Sequence, residues 1–226
     1  MKISHRLVII IAVFITCLIT ANIIAVKVIS LGPFTLPAAI FVFPISYIFG
    51  DVLTEVYGYR LARRVIWLGF ACNLIFVFFA WIGQLLPSAS FWEGQAAYKS
   101  ILGYSPRLLA ASFGGYLVGE FINSFVLARM KILTKGRWLW SRTIGSTIVG
   151  EGLDTAIFIN LAYLGTSSFA AVMILHHWLF KVVIEAVFTP ATYAIVNWLK
   201  RKEDIDTYDY STRYNPFTLW EKGQSR

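Results

Sequence analysis

The stretch that decides the fold is LVIIIAVFITCLITANIIAVKVI, residues 7–29, in which Lys27 is the one charged side chain. About 20 apolar residues in a helix cover the roughly 30 Å hydrocarbon core of a bilayer. Five more runs of similar length and character follow: Phe34–Tyr57, Val65–Leu86, Leu108–Met130, Thr143–Leu164 and Ala171–Leu199. The sequence therefore predicts an all-α integral membrane protein built as a bundle of six transmembrane helices.

The composition supports this class. Of the 226 residues, 58% are hydrophobic and only 14% are charged, whereas soluble domains have about 25% charged residues. The net charge of +8 does not indicate nucleic-acid binding, because the basic residues cluster at the ends of the apolar runs.

A cleaved signal peptide is the alternative for the first run. Its apolar stretch is longer than the usual 7–15 residues, and no small-x-small cleavage site follows.

The distribution of basic residues predicts the orientation. Lysine and arginine are enriched in cytoplasmic loops. One face of the predicted bundle holds 16 of the 20 basic residues: Lys2, Arg6, Arg60, Arg63, Arg64, Arg129, Lys131, Lys135, Arg137, Arg142, Lys200, Arg201, Lys202, Arg213, Lys222 and Arg226. We therefore expect a multi-pass protein of the inner (cytoplasmic) membrane with both termini in the cytoplasm. Residues 1–199 form the transmembrane domain and residues 200–226 a solvated cytoplasmic tail. The sequence leaves open whether the chain is a monomer or a homodimer.

Six acidic residues lie inside the predicted spans, where an isolated charge costs about 2.5–3.5 kcal/mol or more. They occur with each other or with polar partners at helical spacing, as Asp51 with Glu55, Glu120 with Asn123, Glu151 with Asp154, and Lys181 with Glu185. Residues three or four apart share one helix face. Four helices therefore each carry a polar stripe, and these stripes predict one polar pocket inside the bundle.

Structural roles are the alternative for several of these residues. Lys181 and Glu185 could form an ion pair within one helix that only holds the fold. Asp51 and Glu55 lie near the cytoplasmic end of their span, where water or nearby arginines could neutralise them. His176 and His177 are adjacent, so only one of them can face the interior, and interface histidines are commoner than ligands.

The glycine and proline residues inside the predicted spans predict helix kinks, close helix packing and a possible internal repeat. Pro44 and Pro190 lie inside predicted spans, where each should kink a helix. Gly115 and Gly119 form a small-xxx-small pair that favours close helix packing. The segments GDVLTE (50–55) and GEGLDT (150–155) both place an acid after a glycine and a second acid one turn later. If they correspond, the chain is two three-helix halves of opposite orientation, as in many transporters.

Two longer strings carry a family resemblance. FPISYIFGDVLTEVYG (43–58) and RTIGSTIVGEGLDT (142–155), together with Phe180-Lys181, Glu185 and Thr189-Pro190, resemble the queuosine precursor transporter family. The resemblance covers the six spans but not the tail. It implies a fold similar to the substrate-binding subunits of vitamin importers, working without an ATPase module. It also implies import of 7-deazaguanine precursors of queuosine, such as the 7-cyano or 7-aminomethyl base, which are salvaged for tRNA modification.

A deazaguanine presents adjacent N–H donors that a carboxylate can accept in a bidentate manner, and aromatic rings can stack on its flat face. On this basis the substrate site is predicted from polar and aromatic residues of the spans: Glu151, Asp154, Asp51, Glu55, Asn22, Asn123, Phe43, Tyr47 and Phe158. Lys181 and Glu185 are predicted to be a charge pair that opens or closes the site.

Other classes of function are weaker interpretations. A substrate-binding subunit for a vitamin-like solute that needs a separate energising complex fits the same features. An intramembrane enzyme is disfavoured, because the sequence has no nucleophile paired with a base and no metal-ligand spacing. No cofactor is predicted. The predicted partners are a small-molecule substrate and the lipid bilayer, not nucleic acid.

Overall fold

The computed structural model describes residues 4–31, 34–103, 106–165 and 171–218. The fold is helical, with one short β-hairpin between the first two helices. In chain order the elements are α1 (His5–Ile24), β1 (Val28–Leu31), β2 (Phe34–Pro37), a 3₁₀ turn (Ala38–Phe41), α2 (Phe43–Val52), a π-helical turn (Leu53–Tyr57), α3 (Tyr59–Leu85), α4 (Gln95–Leu102), α5 (Pro106–Leu133), α6 (Leu139–Tyr163) and α7 (Val172–Glu203).

Five of the six predicted spans correspond to long helices, α1, α3, α5, α6 and α7. Three helical segments of the described chain, His5–Ile24, Tyr59–Leu85 and Ile174–Glu203, are both long and apolar enough to cross a membrane. The helices α5 and α6, with 28 and 25 residues, have the length as well, but they carry several polar residues. The helical class is confirmed.

The prediction that Phe34–Tyr57 forms one membrane-spanning helix is wrong. Its first part is β2, which pairs antiparallel with β1 so that Val28 lies opposite Pro37. Pro44 lies in the first turn of α2, where a missing N–H costs nothing, so it begins a helix rather than kinking one. The 10 residues of α2 and the five of the π-helical turn rise about 22 Å at 1.5 Å each, which is less than a full span.

The surface of the helices is apolar. Large side chains of α3, among them Leu74, Ile75, Phe78, Phe79 and Trp81, are exposed. Several charged side chains are buried instead, including Glu55, Arg63 and Arg142. Contiguous apolar surface of this kind indicates a hydrophobic environment, which agrees with a membrane protein.

Glycines bring α5 and α6 together, and the packing role predicted for Gly115 and Gly119 is confirmed. A Cβ atom added at Gly119 would lie 2.6 Å from Cβ of Asp154, and one added at Gly150 would lie 2.6 Å from Cβ of Asn123. Both distances are shorter than a carbon–carbon contact allows. The close approach fixes the positions of Asp154 and Asn123 on opposite sides of the same helix contact.

The tail packs against α3 in the part that the structure describes, up to residue 218, whereas the sequence predicts a solvated extension. The α7 helix continues to Glu203, and the following residues pack on α3. The side chain of Asp209 accepts the backbone N–H of Tyr59 at 3.0 Å. Arg63 donates to the carbonyl oxygens of Arg213 and Asn215 at 2.8 and 2.9 Å. Arg63 of α3 therefore satisfies two carbonyl groups of the tail.

Candidate functional site

A cavity of about 450 Å³ lies among α1, α2, α3, α5, α6 and α7. It is nearest the end of the bundle where α1 ends and α5 begins, since Ala25, Val26, Leu108 and Leu109 line it. Its polar lining residues are Asn22, Ser46, Asn73, Ser112, Glu120, Glu151, Asp154, Thr155, His177 and Lys181. The volume falls within the range of small-molecule pockets.

Two carboxylates and one lysine form the charged centre of the cavity. Lys181 Nζ on α7 lies 2.8 Å from Glu151 Oε2 and also forms an ion pair with Asp154 Oδ2. The Tyr47 hydroxyl donates to Glu151 Oε2 at 3.3 Å. The spacing of Glu151 and Asp154 places both on one face, because residues three apart on a helix point the same way. One cation between two carboxylates leaves this centre with a net negative charge when all three groups are ionised.

Aromatic side chains supply much of the remaining wall. Tyr47, Phe113, Tyr116, Phe158 and Tyr163 all line the cavity. Tyr116 is held by its hydroxyl, which donates to the Ile66 carbonyl at 3.2 Å. Phe158 and Tyr163 pack edge to face with ring centroids 6.3 Å apart. Flat apolar walls beside acceptor oxygens suit a planar, donor-rich solute.

The structure places some of the predicted site residues in the cavity lining and others outside it. Asn22, Tyr47, Glu151, Asp154 and Phe158 line the cavity, as does Lys181. Three predicted binding residues, Asp51, Glu55 and Asn123, and the predicted gating residue Glu185 are not among the lining residues that the structure describes. The side chain of Phe43 lies outside the described part of the chain.

Lys181 has different partners from the one its spacing predicts. The i,i+4 spacing predicts a pair with Glu185 on the same helix, whereas its observed ion pairs run to Glu151 and Asp154 on α6. The lysine therefore links α7 to α6 across the cavity. It also pairs with the two carboxylates that are predicted to bind the solute.

Several lining residues were not predicted as part of the site. Glu120 and Asn73 are recognisable as polar residues within spans, and both line the cavity. Tyr116 precedes Glu120 by four residues, and this spacing was the available signal that it shares the polar face. His177 lines the cavity as well, so of the two adjacent histidines it is the one that faces the interior.

A second group of polar residues lies away from the cavity lining. Asn123 Nδ2 donates to Asp51 Oδ1 at 3.0 Å. Asp51 and Glu185 are only 2% and 1% exposed. Asp51 Oδ2 and Glu185 Oε1 are buried without a hydrogen-bond partner among the described residues.

A third group, which we call the Glu55 cluster, consists of Glu55, Arg142, Lys131, Lys200 and Asp206. Glu55 is 0% exposed. Its Oε1 atom lies 2.9 Å from Arg142 Nη2, 2.7 Å from Lys200 Nζ and 3.5 Å from Lys131 Nζ. The single carboxylate thus joins α5, α6 and α7 to the π-helical turn that follows α2.

The tail completes the Glu55 cluster. Asp206 Oδ1 lies 2.5 Å from Lys131 Nζ and 2.9 Å from Lys200 Nζ. Burial acts to raise the pKa of Asp206, but hydrogen bonds from Lys131 and Lys200 outweigh it and hold the pKa below its usual value. Asp206 is therefore ionised at neutral pH and compensates the excess of cations around Glu55.

A charged, aromatic-walled cavity among the helices of a membrane protein is typical of membrane transport proteins. The family model described as "Putative vitamin uptake transporter" matches residues 37–195. The chain belongs to this family of transporters, and its relatives are named as transporters rather than enzymes.

Three curated proteins are similar over most of their length. The "Probable queuosine precursor transporter" of Bacillus subtilis (strain 168) is 30% identical over 190 residues, which cover 82% of this chain and 82% of the relative. The "Queuosine precursor transporter" of Escherichia coli (strain K12) is 27% identical and covers 69% of this chain and 70% of the relative. The similarly named protein of Haemophilus influenzae is also 27% identical. No solved structure shows a significant match.

Proposed function

We propose that this protein imports queuosine precursors, as 7-cyano- or 7-aminomethyl-7-deazaguanine, across the cytoplasmic membrane. The observation that carries the proposal is the placement of Glu151 and Asp154 in an aromatic-walled cavity within the bundle. The printed names of the three relatives support the same class of solute.

The proposed contacts follow from the chemistry of the base. Its ring N–H and exocyclic amino group are adjacent donors, which Glu151 and Asp154 would accept. Tyr47 and Phe158 would pack on its faces, and Asn22 would complete the polar edge. An aminomethyl group carries a positive charge, for which Glu120 is the additional acid in the cavity.

Lys181 is the proposed competitor of the solute. Its ammonium group forms ion pairs with both carboxylates. A donor-rich base that takes over these carboxylates releases Lys181, which frees α7 to move relative to α6. Binding energy is thereby linked to a change in helix contacts, which a carrier requires.

The proposed membrane arrangement has six crossings, with both termini in the cytoplasm, in two inverted halves of three. The second crossing would consist of the β1–β2 hairpin, the short α2 and the π-helical turn that follows it. In this orientation the cavity lies toward the outside and the Glu55 cluster toward the cytoplasm. The Glu55 cluster would then close the inner end while the outer cavity accepts solute, and opening it would deliver the solute inward.

Uptake of labelled base into liposomes containing the purified chain tests the proposal. Asp154→Asn and Glu151→Gln each remove one negative charge from the centre, and we expect saturable uptake to fall at least tenfold in either variant. Glu93→Gln, at an exposed loop acid, is the matched control and should transport normally.

Folding is checked separately, since each site variant leaves Lys181 with one ionised partner fewer. Equal elution profiles and reconstitution levels are required before rates are compared. Normal uptake by both site variants would contradict the assignment of these carboxylates. Tight binding without uptake by the unaltered chain would favour a substrate-binding subunit that needs a separate energising complex.

A further inference from the structure

A pair of buried acids lies just beyond the cavity. Asp51 on α2 and Glu185 on α7 are 2% and 1% exposed, and neither lines the cavity. The helices α2 and α7 pack against each other, so the two contacting helices each carry a buried acid in an environment that excludes water.

The hydrogen bonding of this pair is incomplete. Asp51 Oδ1 accepts from Asn123 Nδ2 at 3.0 Å. Within the described residues, Asp51 Oδ2 and Glu185 Oε1 are both buried without a hydrogen-bond partner. Buried polar atoms are almost always satisfied in native proteins, and an unsatisfied one is destabilising. Each of the two oxygens therefore needs a donor that the described side chains do not supply.

The surrounding charges do not neutralise the pair. The groups that interact with it electrostatically from the adjoining elements are acids: Glu120 on α5, Glu151 on α6 and Glu55 on the π-helical turn. Nearby cations are engaged elsewhere, since Lys181 pairs with Glu151 and Asp154 while Arg142 and Lys200 pair with Glu55. Two ionised carboxylates here would be uncompensated buried charges, which is strongly unfavourable.

We propose that Asp51 and Glu185 share a bound proton and form the site through which this transporter couples import to the proton gradient. A proton removes one negative charge and supplies the O–H donor that the two acceptor oxygens lack. The site itself rests on the burial of both acids and on their unpartnered oxygens, and its coupling role rests on the proposed transport function.

The location of the pair suits coupling. Along α2 and the π-helical turn, Tyr47, Asp51 and Glu55 follow one another at four-residue intervals. On α7, Lys181 of the cavity precedes Glu185 by four residues as well. The proposed proton site therefore lies about one helical turn from the cavity and one from the Glu55 cluster. Loss of the proton makes the two carboxylates repel and separates α2 from α7, whereas binding of the proton draws them together.

Infrared spectroscopy of the purified protein tests the proton site without any solute. A protonated carboxyl has a carbonyl stretch that is distinct from the carboxylate bands. We expect this absorption in the wild type near neutral pH and a clear loss of it in the double variant Asp51→Asn/Glu185→Gln. Glu203→Gln, on the same helix as Glu185, is the control, because Glu203 forms an ion pair with Arg6; its absorption should match that of the wild type. Undiminished absorption in the double variant would overturn the proposal. Asparagine and glutamine match the neutral acids in size and hydrogen bonding, so the double variant should fold. If it does not fold, the same absorption is compared between the wild type and Glu185→Gln alone.

Transport assays test the coupling. An outward-acidic gradient should accelerate uptake several-fold in the wild type, and the ratio of rates with and without the gradient should fall to about one in Glu185→Gln. Exchange of labelled for unlabelled base, which needs no gradient, should persist in that variant. A sodium requirement in place of the gradient effect, or a gradient effect that survives in Glu185→Gln, would overturn the coupling. Absence of both uptake and exchange in the wild type would instead refute the transport function, and the infrared result would still decide the proton site.

Discussion

Arg142 on α6 holds Glu55 with two hydrogen bonds, Nη2 to Oε1 at 2.9 Å and Nε to Oε2 at 3.3 Å, at a point where Glu55 has no exposed surface. Both partners are buried in the Glu55 cluster, where Lys200 and Lys131 approach the same carboxylate. Arginine suits this position because its planar group binds a carboxylate in a bidentate manner. The contact ties the π-helical turn to α6.

Glu55→Gln should destabilise the protein more than any surface substitution of the same type. Breaking a buried ion pair costs about 3–5 kcal/mol, because the opposite charge stays buried without compensation. Thermal unfolding in detergent measures the effect. Glu203→Gln, which removes a pair with the exposed Arg6, should have a much smaller effect. Equal unfolding temperatures for the two variants would contradict the role of Glu55 as the centre of this cluster.

Asp206 should make stability depend on acid pH. Lys131 and Lys200 hold its pKa below the usual value against the opposing effect of burial. A carboxyl with a lowered folded pKa stabilises the protein above its unfolded pKa, near 4, and this contribution is lost as the pH falls through the folded pKa. Its side chain is 42% exposed, so solvent screening limits the contribution to roughly 1 kcal/mol or less.

Comparison of wild type with Asp206→Asn across this range measures that contribution. The wild type should unfold at a higher temperature at neutral pH, and the difference should shrink toward zero as the pH falls through the lowered folded pKa of Asp206. A difference that is constant with pH would show that the ion pairs of Asp206 are not its source.

Gly119→Ala should disrupt the contact between α5 and α6, and Gly114→Ala should not. The added Cβ at Gly119 would lie 2.6 Å from Cβ of Asp154, whereas at Gly114 its nearest neighbour would be Ile157 Cγ2 at 3.7 Å. Overpacking of this kind costs about 1–3 kcal/mol, and it would also displace Asp154 within the cavity. Unfolding temperature and uptake rate should therefore both decline in Gly119→Ala only. A normal Gly119→Ala protein would refute the close packing.

Removal of the folded tail should lower stability. Truncation after Glu203 deletes Asp206 and Asp209, which bind Lys131 and the backbone of Tyr59. It also deletes the carbonyl groups that Arg63 contacts, and a buried arginine without acceptors is costly. Truncation after Thr218 keeps all of these contacts and is the control. Equal stability of the two truncated chains would contradict the structural role of residues 204–218.

Hydropathy and spacing predicted much of this protein. Apolar runs located α1, α3, α5, α6 and α7, and the spacing of Glu151 and Asp154 identified the charged centre of the cavity. These features are local, because the period of a helix determines which side chains share a face.

Features that depend on contacts between distant segments were not predicted. Hydropathy does not distinguish an apolar hairpin from a helix, so it does not predict the pairing of β1 with β2. Sequence spacing pairs Lys181 with Glu185 on its own helix, because contacts between helices cannot be read from spacing. The polar composition of the tail predicted solvation, although acceptors in that tail satisfy Arg63 and Tyr59.

Counterflow in liposomes containing only this chain tests the central claim most directly. The liposomes are loaded with unlabelled 7-aminomethyl-7-deazaguanine and placed in a trace of the labelled base. A carrier that exchanges one molecule for another concentrates the label transiently above its external level, and we predict this overshoot for the wild type and its loss in Asp154→Asn. Label that binds the protein but never accumulates inside the liposomes would contradict the account.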